Sequence, residues 1–255
     1  MPLDAELIVI DDGSSHSVNR QLARRVTGDV HFLLRCNNIF EIRAYNRAIA
    51  ASRGEYIALL QDDDLYVNEE WWRRALELME DDPSIGVCGG MSGMSILPPD
   101  NVQVEADPLA HKRRYPDRFD DDGLYTWPGI VKLRVWPGSA MGSPKYVDVI
   151  NRAPMLLRRS TYDAIGPFDE EFAPFQADDA DFCLRAWKAG WRVVLYDSQV
   201  RDHAFEGGMR QVGSDQVSMQ SYRNHLLLYE RHGDFIDQGG CRSLLGEASD
   251  SVMKP

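Results

Sequence analysis

The sequence lacks the features that mark membrane and secreted proteins. It contains no apolar run of about 18 residues, so no transmembrane segment is predicted. It begins MPLDAELIVIDD, an acidic start without the basic region of a secretory signal. Its four cysteines, Cys36, Cys88, Cys183 and Cys241, are far apart and form no C-x-x-C pair, which argues against a structural zinc site or a dense disulfide framework. We therefore expect a reduced, cytoplasmic protein.

The motifs of several common catalytic sites are missing as well. There is no G-x-x-x-x-G-K-S/T phosphate loop, no G-x-G-x-x-G and no H-E-x-x-H, and the GMSG at 90–93 misses the spacing of a nucleophile elbow. Positive charge is also in deficit, because 40 acidic residues against 28 basic ones give a net charge of −12. Such a surface repels nucleic acid and anionic lipid in bulk, so we expect no nucleic-acid partner.

What the sequence does contain is an alternation of short apolar strands and amphipathic helices. With 44% hydrophobic and 27% charged residues it has the composition of a globular protein. Continuous apolar strands separated by helices predict an α/β fold with a mostly parallel central sheet flanked by helices. We predict strands at 7–10, 31–34, 56–60, 85–88 and 192–196, and helices at 17–26, 42–52, 69–79, 160–165, 179–189 and 215–232.

The alternation stops at about 97 and resumes at about 147. The stretch 97–146 is rich in Pro, Asp, Arg and Trp, and we expect an irregular insertion there. We see no linker that divides the chain. We therefore predict a single domain over 1–235, with halves at 1–95 and 96–235, followed by a polar tail at 236–255.

Carboxylates follow two of the predicted strands and open one of the helices. Asp11 and Asp12 come after LIVI, a triple aspartate at 62–64 comes after YIALL, and the sequence DDAD begins at Asp178. Ligands of open α/β sheets bind beyond the carboxyl ends of the strands. A hard cation such as Mg²⁺ or Mn²⁺ takes oxygen ligands and would offset the repulsion within such clusters. The triplet at 120–122 follows no apolar strand, and we interpret it as a solvated turn.

Each cluster also has a purely structural interpretation. Asp178 or Asp179 can cap the helix that follows, because a carboxylate is favourable at a helix N-terminus. Asp11 and Asp12 can be turn formers before Gly13. His203, after the 192–196 strand, can be a hydrogen-bonded surface histidine. These alternatives stay open on the residues alone.

Taken in order, four motifs resemble the inverting family 2 glycosyltransferases of the GT-A fold. They are IVIDDGSS, RAYNRAIAASRGEYIALLQDDD, MLLRRSTYDAIGPFDEEF and DDADFCLRAWKAGWRV, and they cover roughly 5–90 and 147–205. The resemblance implies a nucleotide-diphosphate-sugar donor (a UDP- or GDP-sugar) and a Mn²⁺ or Mg²⁺ cofactor. It also implies displacement at the anomeric carbon by a hydroxyl of a glycan, a lipid-linked or another acceptor, in polysaccharide or glycoconjugate synthesis. It leaves a homo-oligomer open.

The resemblance also assigns roles to individual residues. It places Asp179 as the general base beside Asp178, and it places the metal on Asp63, with Asp64 and with His203 further along the chain. The residues assigned to donor binding are Asp11, Asp12, Gly13, Arg43 and Asp62. Asp12 is favoured over Asp11 for hydrogen bonding to the nucleotide base. The acceptor side takes Asn151, Trp127 and Trp136, although we favour the interpretation of the two tryptophans as packing anchors.

The sequence departs from the family pattern at two places. Gln61 stands where the family often has the first aspartate of L-D-x-D-D. In addition, the family begins with another strand and helix before the strand that ends in DDGS, and that strand starts here at residue 6. The missing strand would lie beside it in the middle of the sheet. We therefore keep two further hypotheses: a non-catalytic nucleotide-sugar-binding or scaffold module on a truncated core, and a nucleotidyltransferase, which would usually carry a glycine-rich basic loop near its start.

Overall fold

A computed structural model describes residues 4–62, 64–67, 70–96, 124–127, 131–137, 143–152, 154–202 and 213–245 of the chain. The strands are β1 Leu7–Asp12, β2 His31–Cys36, β3 Tyr56–Leu59, β4 Asp64–Tyr66, β5 Ile85–Gly89, β6 Ser92–Ile96, β7 Leu124–Trp127, β8 Val131–Pro137, β9 Lys145–Tyr146, β10 Val149–Ile150, β11 Met155–Arg158, β12 Arg192–Leu195 and β13 Val200–Asp202. The helices are α1 His16–Arg25, α2 Phe40–Ala51, α3 Trp71–Asp81, α4 Arg159–Ile165, α5 Asp178–Lys188, α6 Ser214–Asp237 and α7 Cys241–Leu245, with a 3₁₀ turn at Glu170–Phe172.

The largest sheet has five strands in the order β3-β11-β5-β12-β9. Strands β5 and β12 pair in parallel, whereas β11 runs antiparallel to both of its neighbours and β9 antiparallel to β12. The α/β architecture is as predicted, but the sheet is mixed rather than mostly parallel. The apolar run MLL predicts that both faces of β11 are buried. A continuous apolar run of this kind does not distinguish a parallel from an antiparallel strand, so the sequence did not reveal the direction of β11.

Both faces of this sheet are covered by helices, which explains the continuous apolar strands. On one face, Cys88, Leu156 and Val194 pack with Ala75, Leu78 and Met79 of α3. On the other face, Val87, Leu157 and Val193 pack in the cluster that contains Phe182 and Trp187 of α5. Every residue of β5 is buried as a result. The helix α5 is thereby fixed against the centre of the sheet, and its N-terminus is positioned by the core.

Strands β1 and β2 form a separate, parallel two-stranded sheet. Its residues Leu7 to Ile10 are only half-buried, in contrast to the fully buried β5. Among the described residues β1 pairs only with β2, and β3 pairs only with β11. The Glu6 carboxylate, just before β1, accepts the backbone N–H groups of Arg53 and Gly54 near the start of β3. The structure therefore holds the two sheets together through side chains and α2 rather than through a shared strand ladder.

The stretch expected to be an irregular insertion contains regular strands. Strands β7 and β8 pair antiparallel and join β6 and β10 in a four-stranded sheet of order β10-β6-β8-β7. The β8 sequence VKLRVWP alternates apolar and polar residues, with Leu133 buried. This period of two is a strand signature that the composition of the stretch concealed.

The end of the chain also differs from the predicted polar tail at 236–255. Helix α6 continues to Asp237, and α7 follows at Cys241–Leu245. Ile236 and Cys241 are buried in the main core, so residues 236–245 belong to the packed structure. The buried Asp148 carboxylate accepts the backbone N–H of Cys241 at 2.5 Å and that of Ile96 at 2.7 Å, which fastens α7 to β6. None of the helices in the described ranges is long and apolar enough to cross a membrane.

Candidate active site

The turn after β1 is built on the Asp11 carboxylate. Asp11 is buried and accepts the backbone N–H of Ser14 at 3.0 Å and the Asn19 amide at 2.5 Å, with Arg35 Nε 4.0 Å away. Burial raises the pKa of Asp11, but these hydrogen bonds outweigh it, and the net shift is downward. Gly13 has φ +97°, and a Cβ there would lie 2.9 Å from Asn38 Oδ1. The turn thus requires a glycine at this position.

Asp12 uses both carboxylate oxygens at the start of α2. Its Oδ1 accepts the Ile39 N–H at 2.9 Å, and its Oδ2 accepts the Phe40 N–H at 2.7 Å. These N–H groups are among those that a helix leaves without internal partners at its N-terminus. Asn38 and Phe40 have positive φ, so Asp12 also holds a backbone that is uncommon for such residues. Further along α2, Arg43 lies 3.2 Å from Glu170.

The turn after β3 carries the predicted metal residues. Asp62 is exposed, and Asp64 Oδ2 accepts the Gln61 N–H at 3.1 Å and the Tyr66 hydroxyl at 3.2 Å. Asp63 lies outside the described residues. Carboxylate oxygens at an exposed strand end are the donor type that Mg²⁺ and Mn²⁺ prefer, so this part of the turn fits such an ion.

Strand β13 runs beside this turn. It pairs antiparallel with β4, and Asp202 is directly opposite Asp64. The next residue, His203, lies outside the described residues, as does Asp63. Within the described ranges no group of three or more His, Cys, Asp or Glu side chains is arranged for a metal ion. The backbone register nonetheless brings the chain segment that precedes His203 to the aspartate turn.

The second acidic pair opens helix α5. Asp178 is buried and Asp179 is partly exposed, and the preceding residues Gln176 and Ala177 both have positive φ. The buried Asn224 amide on α6 fixes this segment by donating to the carbonyls of Phe172, Phe175 and Gln176 at 2.7–2.8 Å. Paired backbone strain of this kind persists only where the surroundings enforce it, and it is frequent at functional sites.

Burial dominates the electrostatics of this pair. Removal from water raises the pKa of Asp178 to about 7; the charge of Arg152 opposes the shift, and Asp179 adds to it. Burial also raises the pKa of Asp179, although the Arg152 charge and a backbone hydrogen bond from Ala180 oppose the change. A carboxylate whose pKa approaches neutrality is suited to proton transfer at physiological pH.

The third aspartate of the DDAD sequence has a structural role. Asp181 is buried and accepts His232 Nε2 and Arg185 Nε at 2.9 and 2.8 Å. Burial raises the pKa of Asp181, but the hydrogen bond from His232 and the charge of Arg185 lower it by more, so the net shift is downward. Asp181 therefore fastens α5 to α6 and is separate from the pair at its N-terminus.

Sequence reasoning missed the residues that join the two acidic sites. Arg152 contacts Asp178, and its Nη2 lies 3.5 Å from Glu41, whose other oxygen accepts the Gln61 amide. Tyr45 donates to the Leu60 carbonyl at 3.2 Å. Glu41 and Tyr45 are four residues apart on one face of α2, and this spacing in EIRAY was the available signal. Arg152 gave no signal in the sequence, because its partners are distant along the chain.

The structure thus gathers three of the predicted clusters around α2. Asp12 binds the start of that helix, while Glu41 and Tyr45 reach the aspartate turn and Arg152. Of the residues predicted for the acceptor side, Asn151 follows β10 and donates to Ser92 Oγ at 2.9 Å. Trp127 and Trp136 lie in β7 and β8, and the orientation of their side chains is outside what the structure describes.

Known proteins share both sequence and fold with this chain. Residues 1–127 match the family model described as glycosyl transferase family 2. The uncharacterized protein y4gI of Sinorhizobium fredii is 26% identical over 202 residues, which is 74% of this chain and 20% of that protein. The chain thus spans about a fifth of this curated relative.

Two solved structures illustrate the fold. A crystal structure of GalNAc-T7 with UDP, GalNAc and Mn²⁺ superposes with a TM-score of 0.58 at 12% identity, covering 91% of this chain and 43% of that one. The mannosyltransferase PcManGT of Pyrobaculum calidifontis, in complex with GDP-Man and Mn²⁺, has a TM-score of 0.50 at 14% identity, covering 97% and 67%. At these identities the likeness concerns the fold. Residues 1–127 thus match glycosyl transferase family 2, and the fold of the chain is that of the GT-A-type glycosyltransferases.

Proposed function

We propose that this chain transfers a sugar from a nucleotide-diphosphate sugar to an acceptor hydroxyl, with inversion and with a divalent metal ion. The observation that carries the proposal is the arrangement at the start of α5. A partly exposed Asp179 stands beside a buried Asp178, and a chain of side chains connects that pair to the aspartate turn after β3. A base and a cation-binding turn on one scaffold are the two elements that such a displacement requires.

Asp179 is the proposed general base. An inverting transfer needs a group that takes the acceptor hydroxyl proton as its oxygen attacks the anomeric carbon. Asp178 is 1% exposed and in contact with Arg152, which keeps it away from a substrate, whereas Asp179 is partly open. The upward pKa shift of Asp179 makes it a stronger base than an exposed carboxylate.

The metal-binding role belongs to Asp63 and Asp64, with His203 from the segment after β13. When bound, Mn²⁺ or Mg²⁺ supplies positive charge that neutralises the leaving nucleoside diphosphate. Asp64 is held in place by the Gln61 N–H and the Tyr66 hydroxyl, and Asp62 is exposed beside it and assigned to the donor. The fold neighbours support the use of a divalent ion, since the structures of GalNAc-T7 and PcManGT contain Mn²⁺.

The donor is proposed to lie against the turn after β1 and the start of α2. Asp11, Asp12, Gly13 and Arg43 line this side. Asp12 already binds two backbone N–H groups, so its carboxylate is fixed before the donor binds. Its proposed contact with the nucleotide base would be made by this fixed carboxylate. A UDP- or GDP-sugar is the donor class, supported by the UDP in the GalNAc-T7 structure and the GDP-Man in the PcManGT structure.

The acceptor is proposed to approach from the side of Asn151, with Trp127 and Trp136 on strands of the same four-stranded sheet as β10. The substrate class is a hydroxyl of a glycan, of a lipid-linked sugar or of a related acceptor. Asn151 precedes Arg152 and is itself fixed by Ser92, so it would present a rigid edge. An aromatic face in this region would stack on a sugar ring.

A panel of UDP- and GDP-sugars, measured by calorimetry and by turnover with Mn²⁺, Mg²⁺ or EDTA, tests the proposal. We expect one nucleotide class to bind only with metal, and acceptor-dependent release of the nucleoside diphosphate. Asp63→Ala should abolish the metal-dependent part of binding. Donor binding that is indifferent to EDTA would contradict the metal role.

A second candidate is a non-catalytic nucleotide-sugar-binding module. The observation that favours it is the separation of the β1–β2 sheet from the five-stranded sheet. The same panel separates the two functions, because this module would bind a donor without releasing nucleoside diphosphate, whatever acceptor is supplied.

A further inference from the structure

A buried arginine, which no motif predicted, lies between the two acidic sites. The Arg152 side chain is 6% exposed and contacts the Asp178 carboxylate, which is 1% exposed. The Glu41 carboxylate, 31% exposed, lies 3.5 Å from the other end of the guanidinium. One positive charge therefore serves two carboxylates from different helices, α5 and α2.

Aromatic rings close off the remaining sides of this arginine. The guanidinium carbon is 4.9 Å from the centre of the Tyr45 ring and 5.5 Å from that of Phe168. Rings at this distance attract a cation and exclude water. With little water to screen it, the charge of Arg152 acts strongly on the carboxylates around it.

Several polar atoms of this cluster have no hydrogen bond. These are Arg152 Nε and Nη1, and both carboxylate oxygens of Asp178. The contact between Arg152 and Asp178 is therefore an ion pair without hydrogen-bond geometry. Burying such a pair contributes little net stability, and apolar residues of similar volume often stabilise a fold as well or better. Stability alone does not account for a charged pair here.

The backbone and side chain of Arg152 act on different members of the acidic pair. The Arg152 backbone lowers the pKa of Asp179 by hydrogen bonding, while the Arg152 guanidinium faces Asp178. On the other side, Glu41 accepts the amide of Gln61, the residue that precedes Asp62. The contacts run from Asp178 through Arg152 and Glu41 to Gln61, and so from the start of α5 to the turn after β3.

We propose that Arg152 is a positioning residue for the transfer reaction, which confines Asp178 to an ion pair and leaves Asp179 as the one carboxylate of the pair open to the acceptor. This rests on the proposed function and extends it to a residue that the resemblance did not assign. Arg152 contacts neither the donor nor the acceptor; it acts through Asp178 and Glu41.

The charges around the pair determine what loss of the guanidinium would do. Asp178 is faced by Arg152, by Asp179 on its own helix and by Glu41 from α2, with the Tyr45 phenol beside them. Without Arg152, three carboxylates would share the site with no cation. A proton would then be retained on the Asp178–Asp179 pair to a higher pH.

The test compares Arg152→Met with the conservative control Arg152→Lys across a pH series. In Arg152→Met we expect kcat at neutral pH to fall about tenfold and the acidic limb of the kcat profile to move up by about one pH unit. The donor KM should stay within about twofold of wild type, since Arg152 does not contact the donor. Arg152→Lys should restore most of kcat and the wild-type limb.

A second variant keeps the test decisive if Arg152→Met does not fold. Glu41→Gln removes a negative charge from the same cluster, so the acidic limb should move down instead of up. An unmoved limb in either variant that folds, or a loss of kcat that only parallels a loss of donor binding, would overturn the proposal.

Carboxyl ¹³C NMR separates this proposal from the proposed function. If wild type transfers no sugar from any donor, the proposed function fails, but the aspartate signals can still be titrated. The Asp179 signal, identified by its absence in Asp179→Asn, should titrate at higher pH in Arg152→Met than in wild type. Identical titration curves would overturn the role of Arg152 independently of turnover.

Discussion

Two of the protein's adjacent-aspartate pairs, Asp11–Asp12 and Asp178–Asp179, have opposite environments in the structure. In the pair Asp11–Asp12, each of the four carboxylate oxygens accepts an N–H, from Ser14, Asn19 and the start of α2. In the pair Asp178–Asp179, the buried member has no hydrogen bond at either oxygen and relies on the charge of Arg152.

The consequence appears in the direction of the pKa shifts. N–H donors aimed at a carboxylate favour its charged form, and the pKa of Asp11 is lowered although burial opposes this. For the second pair burial dominates, and the pKa values of Asp178 and Asp179 are raised. Asp11 is therefore suited to stay ionised and hold a loop, whereas the second pair is suited to the proton transfer proposed for it. The same two residues in a row do not determine which outcome results.

The largest expected effect is on turnover, which should respond differently to substitutions in the two pairs. Asp179→Asn should lower kcat by about 10²- to 10⁴-fold, because the attacking hydroxyl would lose the group that takes its proton. Donor affinity should be unchanged. The matched change Asp12→Asn removes no proton-transfer group, and we expect its main effect on donor KM. Steady-state kinetics of both variants measure this difference. Turnover of Asp179→Asn at the wild-type rate would contradict the proposed role of Asp179.

A smaller effect concerns the asparagine that supports each pair. Asn224→Ala removes the amide that donates to the carbonyls of Phe172, Phe175 and Gln176, the first two of them buried, and we expect the free energy of unfolding to fall by about 2 kcal/mol. Asn19→Ala removes a donor from the half-exposed first turn, where water can replace it, and should cost about 1 kcal/mol or less. Urea unfolding of the two variants measures this difference. Equal losses would show that the two turns are equally dependent on their asparagines.

The smallest effect is the opposite pH dependence of stability in the two pairs. Asp178 has its pKa raised, so its contribution is present below the unfolded pKa and is lost as the pH rises towards about 7. Relative to Asp178→Asn, wild type should therefore lose stability between pH 5 and pH 8. Asp11 has its pKa lowered, so its contribution is present above the unfolded pKa and is lost on acidification.

Urea unfolding at several pH values measures this contrast. The difference in the free energy of unfolding between wild type and Asp11→Asn should fall as the pH is lowered from 5 to 3. The difference between wild type and Asp178→Asn should fall as the pH is raised from 5 to 8. A difference that changes in the same direction with pH for both variants would contradict the assignment of opposite roles.

The sequence predicted the elements whose pattern is local. The strand at 56–60 and the helix at 179–189 appear as Tyr56–Leu59 and Asp178–Lys188, because the apolar run and the glycine after the helix are signals carried by neighbouring residues. The position of the aspartate turn after a strand followed from the same reasoning. The antiparallel direction of β11 and the pairing of β7 with β8 depend on distant partners, which a single sequence does not reveal.

The candidate site shows the same division. Asp179 stands out in the sequence because it begins a helix beside another aspartate. Glu41 and Arg152 are ordinary charged residues in sequence, and only the packing of α2 against the start of α5 brings them together. The charge balance of the site is therefore a property of tertiary structure, and it was beyond prediction from motifs.

The separate β1–β2 sheet has a consequence for how the protein opens. Its strands are half-buried and share no backbone ladder with the five-stranded sheet, whose β5 is fully buried. Cooperative units of this kind unfold locally at lower free energy than the main core. Amide hydrogens of β1 and β2 should therefore exchange with solvent deuterium well before those of β5. A donor that binds the turn after β1 would slow exchange in that unit, so its affinity would include the free energy of ordering a loosely anchored half of the fold.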